Sequence, residues 1–259
     1  MKISISTGIF DYDFPFEKGI KMLRAAGYSL VEISRKNLNI GGQKPFIDSM
    51  GLKVWSVHGM LGGDSASLSE ELREKSVRSE LGIMEDAAVF APCPYVVHYL
   101  DRYNDPVYGK KFRKSIEQLH EKAVELNLNL AIETAPYKPE QNERYPSSKE
   151  ISDFVRSFHS PNVSLCLDVN HSNLNEKFED ACRNCKGLIS DIHVSDNHGG
   201  REEHLSPGLG VINFPAVFRS LRRAGYKGPC NLECHLEEAP TVEKLAEVRL
   251  FIENQIKLS

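Results

Sequence analysis

A chain of 259 residues that is 41% apolar can bury a substantial core, which excludes intrinsic disorder, and a net charge of −4 gives no global attraction to nucleic acid or to an anionic membrane. The amino-terminal MKISISTGIF has too short an apolar run for a signal peptide and no later stretch approaches a membrane span, so a cytoplasmic protein acting on a small molecule is expected. Six scattered cysteines form no disulfide framework, and the lone Cys182-x-x-Cys185 reads as helix packing rather than as a zinc or redox motif.

In chain order, residues 2–6 read as a strand and 15–27 as a helix with Pro near its start and Gly at its end. A strand at 28–34 precedes a short helix at 44–50, a strand at 52–57 precedes a helix at 68–90, and a strand at 95–99 precedes a helix at 107–126. Four more pairs follow: strands at 128–133, 163–168, 188–193 and 229–233, each with a helix after it, at 147–158, 176–185, 214–224 and 241–256. Eight strands alternating with helices over this length predict a single (β/α)8 barrel spanning residues 1–259, and no G-x-G-x-x-G follows the first strand to suggest a dinucleotide fold.

In such a barrel the functional side chains belong at the carboxyl ends of the strands. His58 ends LKVWSVH, His98 ends YVVH, Glu133 ends LNLAIE, Asp168 ends VSLCLD with His171 just beyond, His193 ends LISDIH, and Glu233 ends PCNLE. A single strand-end His or carboxylate is ordinarily a hydrogen-bonded core group or a helix cap. Several carboxylates converging on one barrel mouth repel one another, and a divalent cation is the usual means of keeping them ionised together. The run DIHVSDNHGGREEHLSPGLG after the seventh strand adds Asp196, His198, Glu202, Glu203 and His204 before a Pro-Gly-Leu-Gly turn, a density of ligand types that favours coordination.

The segments LAIET, CLDVNHSNL, HVSDN, EEHLSPGLGVINF and NLECH together resemble the xylose-isomerase-like barrels, a group that includes endonuclease IV, ketose epimerases and hydroxypyruvate isomerases. That resemblance implies a metal set of Glu133, Asp168, His193 and Glu233, suited to manganese, magnesium, cobalt or zinc, with Glu133 and Glu233 also serving as acid–base groups. It further implies that His58, His98, His171, Glu202 and His204 take a second metal or hold substrate. The activity implied is isomerisation or epimerisation of a small sugar, sugar phosphate or related polyhydroxy carbonyl compound. One alternative is a zinc-dependent apurinic endonuclease, because all nine positions of that enzyme's ligand set are filled, with Glu202 in place of Asp; another is a barrel that binds sugar or metal without turnover.

Two departures bear on these readings. Ketose epimerases place an Arg six residues after the metal His, where this chain has Gly199, with Arg201 two residues later. The loops after His58 and His98 carry little of the basic, wedge-like character that gripping a distorted duplex demands. Lys110, Lys111, Arg113 and Lys114 read as a solvated helix face, Trp55 as core, and Phe10 as either core or an apolar wall for a sugar's carbon face.

Overall fold

The computed structural model describes residues 1–34, 39–101, 105–136 and 145–259. Eight parallel strands close into a barrel in sequence order: β1 (Ile3–Ser6), β2 (Leu30–Ile33), β3 (Lys53–His58), β4 (Pro94–His98), β5 (Asn129–Glu133), β6 (Val163–Asp168), β7 (Ile189–Val194) and β8 (Cys230–Leu232). β8 pairs with β1, so the sheet has no exposed edge. Parallel neighbours require crossovers, and these are supplied by α1 (Phe16–Ala25), α2 (Lys44–Ser49), α3 (Glu70–Ala87), α4 (Pro106–Glu125), α5 (Ser148–Arg156), α6 (Val169–Asn175), α7 (Phe178–Asn184) and α8 (Phe214–Ala224), with α9 (Val242–Lys257) after the last strand. This is the (β/α)8 architecture. No helix among the described residues is long and apolar enough to cross a membrane.

Local chemistry sets the helix starts. The side chains of Ser69, Asp105, Ser147, Asn213 and Thr241 each accept a hydrogen bond from a backbone N–H in the following first turn, and Gly225 ends α8 at φ 84°, where a side chain would be strained. The one prediction that changes character lies after β6. The sequence predicts a single helix at 176–185, whereas α6 begins directly at Val169 because Asp168 caps it, Oδ1 accepting from the His171 N–H at 2.7 Å. VNHSNLN has no apolar period to betray a helix, and the Asp168 cap together with burial of residues 169–172 starts it.

Strand side chains alternate between two environments. Ile5, Val31, Val57, Val97, Ile132, Leu165, Ile192 and Leu232 point outward into the core shared with the helices and are essentially fully buried. The opposite faces fill the barrel. Val96, Ala131 and Cys166 form a separate small apolar cluster on β4–β6. At the corresponding positions of the other strands stand Ser4, Glu32, Ser56, Asp191 and Asn231, all 0% exposed. A bulge pairs Val31 with Val54 but Glu32 with Ser56, leaving Trp55 as the extra residue of β3. Its indole Nε1 consequently donates to Asp191 at 3.0 Å rather than joining the core beneath the helices. Phe10 does pack in that core, stacking on Phe14 and lying so close to Gly19 that a Cβ there would come within 2.9 Å of its ring.

The remaining sequence features are outside the barrel mouth. Cys182 and Cys185 are buried with their thiols pushed up by burial, Cys185 to about 11. Lys111 and Lys114 pair with Glu70, and Arg113 pairs with Glu117 along α4.

Candidate active site

Glu133, Asp168 and His193 are the last or near-last residues of β5, β6 and β7, and Glu233 follows β8 directly. The barrel closes these strand ends on one another, so that each residue offers a ligand atom and the four atoms lie within 4.8 Å of one another. His193 Nδ1 is 2.8 Å from Glu133 Oε1 and 3.1 Å from Glu233 Oε2. Asp168 Oδ1 is occupied by the α6 cap, while its Oδ2 is buried with no protein partner. A buried carboxylate oxygen left without a donor is costly, and a cation placed among the four groups would satisfy it.

The electrostatics divide these carboxylates. Burial would raise Glu133 and Glu233, but the adjoining His193 outweighs it, aided by His98 at Glu133, and holds Glu133 well below the ordinary carboxylate range and Glu233 at about 2. Burial dominates at Asp168 and pushes its carboxyl up to about 6 against the pull of His171. A proton would compete with a cation for Asp168, so apparent affinity for a divalent cation is expected to fall as pH drops through about 6. Competition with a chelating dye near pH 5 and near pH 7.5 checks this; equal affinities would remove Asp168 from the ligand set. Without metal the sign for folding is opposite to that of a salt-bridged carboxylate. The folded pKa is raised, so this group's stabilising contribution is complete below the unfolded value of about 4 and is lost as pH rises through about 6.

Two further groups surround this centre. His58, His98 and Glu133 form one, with both imidazole Nε2 atoms 3.3 Å from Glu133 Oε2. His171, Glu202 and His204 form the other, Glu202 Oε1 lying 3.1 Å and 2.9 Å from the two Nε2 atoms. In three of these rings a backbone carbonyl takes the Nδ1 proton: Gly59 O for His58, Thr134 O for His171 and Glu233 O for His204. Their Nε2 atoms are thereby aimed at carboxylates. Burial opposes protonation of His58 and His204, but Glu133 and Glu202 respectively raise each to about 10.

Asp196, His198 and Glu203 belong to the same ligand-rich run but do not join these groups. His198 pairs with Glu203 at 3.0 Å near the surface. Asp196 is 1% exposed, and its carboxylate accepts from the backbone N–H groups of Asn197, Gly208, Gly210 and Ile212 at 2.9 to 3.1 Å. That staple explains the Pro-Gly-Leu-Gly turn: Gly208 has φ 100°, and a Cβ on Gly210 would lie 2.3 Å from Asn197 O. Bridges from Leu205 to Asp196 and to His235 then tie the loop to the end of β8 and bring Glu202 and His204 over the mouth. Asp196→Ala strands several N–H groups and should cost at least about 1–3 kcal/mol in chemical denaturation. It should also weaken any zinc held by His171, Glu202 and His204 while leaving metal at the Asp168 centre in place, as read by metal titration of the variant.

The nine positions of the implied metal and substrate sets therefore converge on one face. A cavity of about 470 Å³ opens over them, lined by His58, His98, Glu202, His204 and Glu233 with Tyr12, Met60 and His235 at its sides. Of the loop after His98, residues 102–104 lie outside the described residues. Sequence reasoning missed Glu32, whose Oε2 is 3.0 Å from His193 Nε2. Its signal was present as the one carboxylate within the apolar strand LVEI.

A family model described as a xylose isomerase-like TIM barrel matches residues 20–255. The ketose 3-epimerase of Arthrobacter globiformis is 21% identical over 246 residues, covering 88% of this chain and 80% of that protein. The L-ribulose-5-phosphate 3-epimerase UlaE of Escherichia coli O1:K1 / APEC is 28% identical over 148 residues, covering 56% of this chain; the match spans about half of that relative, 49% of its length. A solved structure of an L-ribulose 3-epimerase superposes with a TM-score of 0.85 at 18% identity, covering 99% of this chain and 95% of that one. These named relatives and neighbours are sugar epimerases.

Proposed function

Because the chain belongs to the xylose isomerase-like TIM barrel family, we propose that it is a divalent-metal-dependent epimerase or isomerase acting on a small sugar, a sugar phosphate or a related polyhydroxy carbonyl compound. We take residues 1–259 as one barrel domain working in the cytoplasm. The observation that carries this reading is the meeting of Glu133 and Glu233, from β5 and from the end of β8, at one nitrogen of His193, beside a carboxylate oxygen of Asp168 that lacks a partner. Glu133, Asp168, His193 and Glu233 would hold a manganese, magnesium, cobalt or zinc ion. Such an ion supplies polarisation of a carbonyl and its neighbouring hydroxyl, which acidifies the hydrogen on the carbon between them.

The chain's own residues then handle the proton. Glu133 and Glu233 are both held ionised and reach the site from different strands. One removes the carbon-bound proton, leaving an enediolate, and the other, or a water, returns it to the opposite face or the adjacent carbon. Glu233 lines the cavity, and Glu133, fully buried, meets the same His193 nitrogen from another strand. His171, Glu202 and His204 stand beside the centre as hydrogen-bond partners for substrate hydroxyls or phosphate.

A second reading, a multinuclear zinc phosphodiesterase, is favoured by one specific feature, the two additional ligand groups His58–His98–Glu133 and His171–Glu202–His204. Turnover of a ketose panel, nicking of abasic duplex DNA and elemental analysis separate the two. Epimerisation with one metal per chain supports the first reading. Strand cleavage with two or three zinc ions per chain would replace it with the second, and metal binding without either activity would leave a binding barrel.

A further inference from the structure

We propose that Glu32 is the positioning residue that aims His193 at the metal centre. Of the other site rings, His58, His171 and His204 are oriented by a backbone carbonyl on Nδ1 and present Nε2. His193 is reversed: Nδ1 faces Glu133 and Glu233, and Nε2 points away from the centre. It is 0% exposed inside the closed barrel, and its Nε2 meets a side chain rather than a backbone carbonyl. Glu32 Oε2 takes the Nε2 proton at 3.0 Å, and Ser56 Oγ donates to the same oxygen at 2.8 Å from the neighbouring strand. The β3 bulge sets this up, since it places Ser56 rather than Trp55 opposite Glu32.

The consequence follows from imidazole chemistry. A ring with Nε2–H held by a carboxylate presents the Nδ1 lone pair, and a flip about χ2 would put carbon where that lone pair points. The sandwich of the His193 ring against His58, 5.5 Å between centroids and 18° between planes, limits tilting but does not choose between the two flips. Glu32 supplies that choice. It does not line the cavity, and its hydrogen bond to the site is the one to His193 Nε2, so its positioning effect on the centre passes through that ring.

This inference rests on the four-ligand reading only for its effect on metal, and the experiment keeps the two apart. Glu32→Gln preserves volume but offers an amide that can donate to Nε2 and stabilise the wrong tautomer. Manganese or zinc affinity, measured by chelator competition, should fall about 10- to 100-fold with stoichiometry unchanged. In ¹⁵N-edited proton spectra the His193 Nε2 proton of the parent protein should be far downfield and slow to exchange, with or without zinc, and the signal should be lost in Glu32→Gln. A parent protein that binds no metal would sink the four-ligand reading while the proton signal still tests Glu32. An unchanged signal with unchanged affinity in a folded Glu32→Gln variant overturns the inference. Should that variant not fold, Ser56→Ala, which removes the second donor to the same oxygen, must shift the signal and weaken affinity by a smaller factor; no shift would overturn it equally.

Discussion

Replacing Glu133 or Glu233 by Gln should lower the turnover of a responsive sugar about 10²- to 10⁴-fold beyond any loss explained by metal content, the usual contribution of a positioned acid–base group. Gln keeps the shape and can still offer an oxygen to a cation, but it cannot accept a carbon-bound proton. The two sites should differ in kind. Glu133 touches His58, His98 and His193 and has 0% exposure, so Glu133→Gln also removes the charge that keeps those rings in place and should lower metal affinity together with rate. Glu233 is 21% exposed at the cavity, so Glu233→Gln should fall more cleanly on the chemical step. Single-turnover rates at saturating metal, with metal content determined on the same samples, make the comparison. In deuterated water, proton abstraction should leave deuterium at the reacting carbon. A product free of deuterium at low conversion, with both metal-replete Gln variants still active, would exclude the two-glutamate mechanism in favour of a hydride shift.

Asp168→Ala should abolish binding of a divalent metal at the central site and, with it, all turnover. The reason is positional. Asp168 Oδ2 is the one carboxylate oxygen of the four-residue group that is buried with no protein partner, so a cation gains there without displacing an existing hydrogen bond. The same substitution removes the cap of α6, which carries His171, and a lost cap costs about 1 kcal/mol. Asp168→Asn separates these effects, because its side-chain oxygen can still cap the helix. Elemental analysis of both variants reads the result: metal absent from both is expected, whereas full metal content in Asp168→Ala would show that the ligand set is drawn elsewhere. Circular dichroism should show α6 more perturbed in Asp168→Ala than in Asp168→Asn.

Much of this arrangement is written in the chain as local pattern. The eightfold strand–helix alternation predicts the barrel because period-two apolar runs and period-3.6 segments are determined by side chains a few residues apart. The rule that function gathers at strand carboxyl ends then selects His58, His98, Glu133, Asp168, His193 and Glu233, and closure of the barrel brings those six together. Strand ends are legible because a polar residue stopping an apolar run is visible in one dimension.

Other features depend on which strands become neighbours and on single-residue offsets between them. Glu32 looks like an isolated charge in β2, and its meeting with His193, 161 residues away, exists only after the sheet closes. Trp55 reads as core, yet one bulged residue in β3 turns its indole toward Asp191. Asp196 looks like a further ligand, and the folded loop makes it a staple for four backbone N–H groups. Nor could the sequence say which nitrogen of each imidazole faces the centre, since that is set by the carbonyl or carboxylate that folding delivers to the other nitrogen. The barrel and the inventory of acids and imidazoles at its mouth are legible along the chain, because strand ends and short-range periodicity mark both. The tertiary structure decided the orientation, pairing and protonation of those groups, because hydrogen bonds and buried charges respond to shifts of a single ångström between residues that the chain holds far apart.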